Sequence, residues 1–210
     1  MTRLPRRVVV GTKNPDKLAE MIAVLRGAVP DLEVVEGASW PDVEETGATL
    51  VENALLKARA VAAATGCAAI ADDTGLEVDA LDGRPGVHAA RFAGPAATYA
   101  ENRQRMLADL TGVEDRVARF RTVVVMVAPG EGDLVVEGVL EGRIATAERG
   151  SFGFGYDSIF EVGERTLAEI PQAEKNRMSH RAMALRALAD QLALSPACGG
   201  DVAEGDSGGG

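Results

Sequence analysis

The chain predicts a mixed α/β fold. Three observations carry that prediction: apolar, β-branched runs alternate with stretches of helical spacing, two helix starts carry capping-box sequences, and a glycine-marked hairpin joins two long strands. In chain order, residues 6–12 read as a buried strand running into a turn. Asn14 and Pro15 then supply an N-cap and a first helical residue; Leu18, Met21, Ile22 and Leu25 give the apolar stripe, and Gly27 closes the helix. Residues 32–35 form a short second strand, and the polar stretch 36–47, with Trp40-Pro41 inside it, is a loop. Thr49 and Glu52 box the start of a helix running to about residue 64, with Val51, Ala54, Leu55, Ala58 and Ala62 as its apolar face. Gly66 ends it, and residues 67–71 are the next strand. Asp82-Gly83 and Pro85-Gly86 mark turns, and Thr98 with Glu101 boxes a helix to about Leu110. Residues 117–128 form a central strand, Gly130 and Gly132 a hairpin turn, and 134–144 the partner strand. The glycine-rich stretch 149–156 suits no regular element, 158–161 is a short strand, and 179–194 is a final helix packing through Ala182, Leu185, Leu188, Ala189 and Leu192. Residues 196–210 lack apolar anchors and are expected to be disordered, leaving 1–195 as one domain.

Composition narrows the function class. A chain of 210 residues can bury a sizeable core, and 46% hydrophobic with 26% charged residues reads as a soluble globular protein. A net charge of -10 argues against a general nucleic-acid surface, but leaves room for a phosphate-bearing small molecule held by a local basic pocket or a bridging cation. No apolar run is long enough to span a bilayer or to form a signal-peptide core, so no membrane partner and a cytoplasmic location are expected. Cys67 and Cys198 suggest neither a disulfide framework nor a cysteine metal site.

Four clusters carry chemistry. At a strand-to-helix junction, residues 11–17 (GTKNPDK) offer backbone N–H groups and two lysines, Lys13 and Lys17, to an anion; a capped helix with two surface lysines has the same spacing. Glu44-Glu45 precedes the second helix; alone it reads as a solvated loop, and it gains chemical interest only beside the next cluster. Asp72-Asp73-Thr74-Gly75 ends a strand: adjacent carboxylates repel, invite a hard cation such as Mg²⁺, and can orient a water for attack on phosphorus, while an Asx-type turn is the plain alternative. Glu77 and Asp79 follow closely and are given no role. Last, SFGFGYD offers aromatic faces at Phe154 and Tyr156 for a base to stack on; Lys175, His180 and Arg181 follow, the last two also common as helix-start surface groups.

Taken together and in this order, these clusters resemble the Ham1-like family of inosine/xanthosine triphosphate pyrophosphatases. The resemblance covers residues 8–194 through several separated motifs: TxNxxK, EETG with ENAxxKA, ADDxGLxVDAL with GxPG and ARFAG, FGYDxIF, and EK followed by SHR. It implies an elongated mixed sheet flanked by helices, in two lobes with a central cleft, and a Mg²⁺-dependent homodimer. It further implies hydrolysis of non-standard purine nucleoside triphosphates (dITP, ITP, XTP) to the monophosphate and pyrophosphate. Matched by motif, Thr12, Asn14 and Lys17 are implied on the triphosphate; Lys13, also expected to bind substrate, stands where relatives often carry a small residue and changes the charge near the mouth of the site. Glu45 and Asp73 are implied metal ligands, with Asp73 also the general base, Asp72 beside it, and Thr74 on the substrate. Phe154, Gly155, Tyr156, Asp157, Lys175, His180 and Arg181 are implied around the nucleotide. Hydrogen-bond donors from His180, Arg181 or the backbone are expected to favour a 6-keto over a 6-amino purine. A pyrophosphatase of other base preference and a non-catalytic nucleotide-binding module are the competing readings.

Overall fold

A computed structural model describes residues 5–194; the predicted tail, with Cys198, lies outside them. Eight strands form one mixed sheet in the order β2-β1-β3-β5-β6-β7-β8, with β4 paired to β3. Parallel pairing joins β1 (Arg7–Val10) to β2 (Glu33–Val34) and to β3 (Ala68–Val78). Antiparallel pairing joins β3 to β4 (Pro85–Gly86) and β5 (Val117–Val127), β5 to β6 (Leu134–Ile144), and β6 through β7 (Phe160–Val162) to β8 (Arg165–Thr166). Helices α1 (Pro15–Ala28), α2 (Leu50–Thr65), α3 (Tyr99–Asp109), α4 (Gln172–Met178) and α5 (His180–Leu194) flank it.

Helix starts follow the sequence. Asn14 Oδ1 accepts from the amides of Asp16 and Lys17, and both predicted capping boxes form, at Thr49/Glu52 and Thr98/Glu101. Several boundaries move. Helix α1 passes through Gly27 to end at Ala28. In α2 the buried stripe is Asn53, Ala54, Ala58, Val61 and Ala62, while Val51 is exposed. Pro85-Gly86 is a two-residue strand rather than a turn, and α4 and β8 arise where no element was expected.

The largest change concerns β3, which runs straight through Asp72-Asp73-Thr74-Gly75 instead of ending there. Its ladder to β5 continues without a break from Ala69↔Val127 to Val78↔Ala118. On its other edge, β3 meets β1 only at Ala68–Ile70 and β4 only at Leu76 and Glu77. Between those contacts, residues 71–75 have no strand beside them, and the sheet is open at that edge.

The long strands β3, β5 and β6 carry different layers at their two ends. One face of the first end, with Ile70, Val124, Met126 and Val136, packs under α1 and α5, and the opposite face, with Ala69, Ala71, Val123 and Val125, packs under α2. Farther along, Leu76, Val78, Phe120, Leu140 and Ile144 bury against α3 and residues 156–170. Arg116 is buried there and donates to the carbonyls of Leu110, Ile144 and Ala145, each at 2.7 Å, tying the end of α3 to β6. Among the described residues no helix is long and apolar enough to cross a membrane.

Candidate active site

A cavity of about 400 Å³ opens beside the unpaired edge of β3. Because that edge is free, the cavity is lined from both faces of the sheet. Every residue assigned to the site from sequence lines it except Asp72: Thr12, Lys13, Asn14, Lys17, Glu45, Asp73, Thr74, Phe154, Gly155, Tyr156, Asp157, Lys175, His180 and Arg181. Lys57, Tyr99, Asn102, Phe120 and Trp40 are among the other residues that line it.

Strand pleating separates the two aspartates. Side chains alternate along a strand, so Asp72 shares the face of Ile70 and Asp73 that of Ala71. They do not form one paired-carboxylate site. Asp72 turns to α1 and α5, where Oδ2 lies 3.3 Å from Lys17 Nζ and 3.1 Å from Arg181 Nε. Burial alone pushes Asp72 up, but Lys17, Arg181 and Lys57 outweigh it and hold the carboxyl well below the usual range. Glu20, buried on α1, takes the other side of Arg181 and also accepts from Ser179 Oγ at 2.9 Å.

Asp73 turns to α2. Lys57 Nζ lies 2.9 Å from Glu45 Oε1 and 3.1 Å from Asp73 Oδ1, and Asn53 Nδ2 donates to Asp73 Oδ2 at 3.2 Å. Two carboxylates from a loop and a strand thus converge on one cationic point. Burial raises the Asp73 carboxyl, and Glu45 adds to the rise against the pull of Lys57. Burial acts to lower the Lys57 ammonium, yet Asp73, Asp72 and Glu45 reverse it, so its pKa is raised. The two rises differ in origin: burial leads for Asp73, whereas for Lys57 the surrounding carboxylates together outweigh it. Glu44, by contrast, is exposed.

The start of α1 differs from its expected role. Asn14 satisfies the amides of Asp16 and Lys17, its carbonyl accepts from Leu18, and Pro15 has no N–H. The first turn has no spare amide for an anion, so positive charge there comes from Lys13 and Lys17. Lys13 is paired at 2.5 Å with the exposed Asp42, on the loop that carries Glu45. Asn14 Nδ2 donates to Tyr99 Oη at 2.8 Å, a bond that crosses the cavity from α1 to α3.

The opposite wall is aromatic and basic. Lys175, buried on α4, reaches Asp157 Oδ2 at 2.6 Å, and that same oxygen accepts from the Phe154 amide at 2.8 Å. Gly153, at φ 74, leaves room for this carboxylate, which a Cβ would strike. Burial raises the Asp157 carboxyl despite Lys175 beside it. The Phe154 ring has Lys175 Nζ 5.1 Å and Arg181 Cζ 5.8 Å from its centre. Tyr156 is less available for stacking: its ring is buried in the core and its hydroxyl donates to Ala89 O at 2.8 Å. His180 stacks on Phe120 at 4.6 Å, with Nδ1 2.5 Å from Thr122 Oγ1. Burial, with Arg181 and Lys175 nearby, drives its pKa well below 6.5 and keeps the ring neutral.

Sequence reasoning assigned no role to Lys57, Asn53, Glu20, Thr122 or Tyr99. The signal for the first two was present: Asn53 and Lys57 are four apart, one helical turn, inside the ENALLKA motif. Glu77 and Asp79 lie outside the cavity, in ion pairs with Arg119 and Arg121.

Comparison with known proteins adds to this geometry. The Ham1 family model matches residues 8–191. A protein of Methylococcus capsulatus named dITP/XTP pyrophosphatase is 49% identical over 195 residues, covering 89% of this chain and 96% of its own length. One of the same name from Bacillus subtilis is 43% identical, covering 89% and 97%. The solved Ham1 protein of Staphylococcus aureus superposes with a TM-score of 0.79 at 38% identity, and that of Coxiella burnetii with 0.79 at 43%; each covers 89% of this chain and 98% of the solved one. The chain belongs to the Ham1 family.

Proposed function

We propose that this chain hydrolyses dITP, ITP and XTP to the nucleoside monophosphate and pyrophosphate. One observation carries the reading. A single cavity joins an acidic centre at Glu45 and Asp73, lysines at the head of α1, and an aromatic wall with Lys175, His180 and Arg181. The names of the relatives in Methylococcus and Bacillus point the same way.

In the reaction, water attacks the α-phosphorus, the bond to the bridging oxygen breaks, and pyrophosphate leaves with the electron pair. Asp73 takes the proton from the water, and its raised pKa suits a base better than an ordinary aspartate's. Lys57 holds Asp73 and Glu45 in place, and Lys17 with Lys13 faces the phosphates. Glu45 and Asp73 fit a magnesium ion: both are hard oxygen donors and already share one cation, the Lys57 ammonium. When bound, Mg²⁺ supplies neutralisation of the phosphate charge. We read the chain as one two-lobed, cytoplasmic, homodimeric unit, and sedimentation checks the dimer.

The deciding experiment is a panel of ITP, XTP, ATP, GTP and dTTP, with and without Mg²⁺, reading pyrophosphate. ITP and XTP far above the others, only with Mg²⁺, is the expected outcome; orthophosphate alone or a flat profile defeats the reading. Asp73→Asn is expected to fold and to lose turnover by a factor on the order of 10²–10⁴, as measured by pyrophosphate release and circular dichroism.

A further inference from the structure

A chain of hydroxyls links Asp72 to His180. Asp72 Oδ2 sits against Arg181 Nε at 3.1 Å and Lys17 Nζ at 3.3 Å, so this carboxylate is ionised and only accepts. Thr74 Oγ1 is 3.3 Å from the same oxygen, and its one hydrogen goes there. Thr74 also accepts from Arg181 Nη2 at 3.3 Å. The 2.7 Å contact between Thr74 and Thr122 must then take its hydrogen from Thr122. With that hydrogen committed, Thr122 Oγ1 can only accept at the 2.5 Å contact with His180 Nδ1. The opposite order would leave Thr74 and the carboxylate facing each other oxygen to oxygen with no proton between them. Among the described residues, no hydrogen bond engages His180 Nε2, and His180 lines the cavity.

We propose that Thr74 and Thr122 fix His180 as its Nδ1–H tautomer, so that a bare Nε2 faces the cleft and reads an N–H on the base. The inference rests on the 6-oxopurine reading above and reverses the expected role of His180 from donor to acceptor. In hypoxanthine and xanthine, N1 carries a hydrogen; in adenine, N1 is a lone pair. Against adenine, two acceptors meet with no proton to share, a mismatch that binding sites built on a buried polar group reject strongly. The keto oxygen then falls to Lys175 or Arg181, which only donate. A neutral ring agrees with this assignment, since burial and the neighbouring cations disfavour a second proton. Guanine shares the N1–H, so this device sorts 6-oxo from 6-amino purines and leaves GTP to another feature.

The test is a long-range ¹H–¹⁵N correlation spectrum of the full chain at neutral pH without nucleotide. His88 is the only other histidine, and the variant His88→Gln assigns the signals. A protonated Nδ1 and unprotonated Nε2 on His180 are expected; an Nε2–H ring, an averaged ring or a doubly protonated ring overturns the proposal. In kinetics, Thr122→Val is expected to lower the ITP-to-ATP ratio of kcat/KM by roughly tenfold, with Thr122→Ser restoring it. An unchanged ratio in the valine variant also overturns it. Should Thr122→Val fail to fold, the spectrum of the unaltered chain still decides. Loss of the functional reading is separately visible: the unaltered chain would release no pyrophosphate from ITP, whatever the tautomer.

Discussion

Lys57 shows how one side chain can set the chemistry of its neighbours. It is the ammonium shared by Glu45 and Asp73, and it lowers the Asp73 pKa against burial and Glu45. Replacing it with methionine removes that opposing pull, so the Asp73 pKa moves higher still. Lys57→Met is therefore expected to shift the acid limb of the pH–rate profile to higher pH and to cut turnover by about 10²-fold or more. His180 makes a second prediction. Its folded pKa lies well below the unfolded value of 6.5, so below that pH the unfolded chain binds a proton that the folded chain refuses. Stability is then lost as pH falls beneath 6.5, by at most about 1.4 kcal/mol per pH unit from this group. Urea unfolding of the chain and of His180→Asn, at about pH 7 and 5.5, should show a shallower pH dependence in the variant.

At the scale of elements, α5 matters most, because its first two residues are His180 and Arg181. It lies directly on β6 at Gly138, where an added Cβ would run into the His180 carbonyl and the Ala184 amide. Gly138→Ala is expected to cost roughly 1–3 kcal/mol in urea unfolding and to weaken ITP binding by displacing both residues. The elements themselves were unequally readable from sequence. Asn14, Thr49/Glu52 and Thr98/Glu101 were legible because a cap is settled within four residues. The length of β3 was not, because Asp and Gly disfavour strands locally and only the distant β5 holds them in one. Lys57 and Asn53 read as the polar side of an amphipathic helix, although they face buried Asp73 across from it. Helix α4, seven residues long, was too short to show a period.

Across the whole molecule, a bond at the cavity mouth joins α3 to α1. Tyr99 Oη accepts from Asn14, and its ring lies 6.1 Å from that of Phe154, so one residue touches both the phosphate and the base side. Tyr99→Phe is expected to raise KM for ITP by about two- to tenfold with kcat little changed, as measured in steady-state kinetics. That residues of the site's separate motifs would gather round one cavity was legible at this scale. Its internal arrangement was not, since adjacency along a chain says nothing of which way a pleat turns each residue. That pleat imposes a constraint on how the gene can change. A single-residue insertion in β3 before Asp72 would move the pair one place along the strand, so that Asp72 met Lys57 and Ala71 met Lys17 and Arg181. A deletion would put Asp73 against Arg181 and leave Thr74 facing Lys57, with no proton acceptor there. Either change strips one cationic centre of its carboxylate. Length changes in β3 are tolerable there only in pairs.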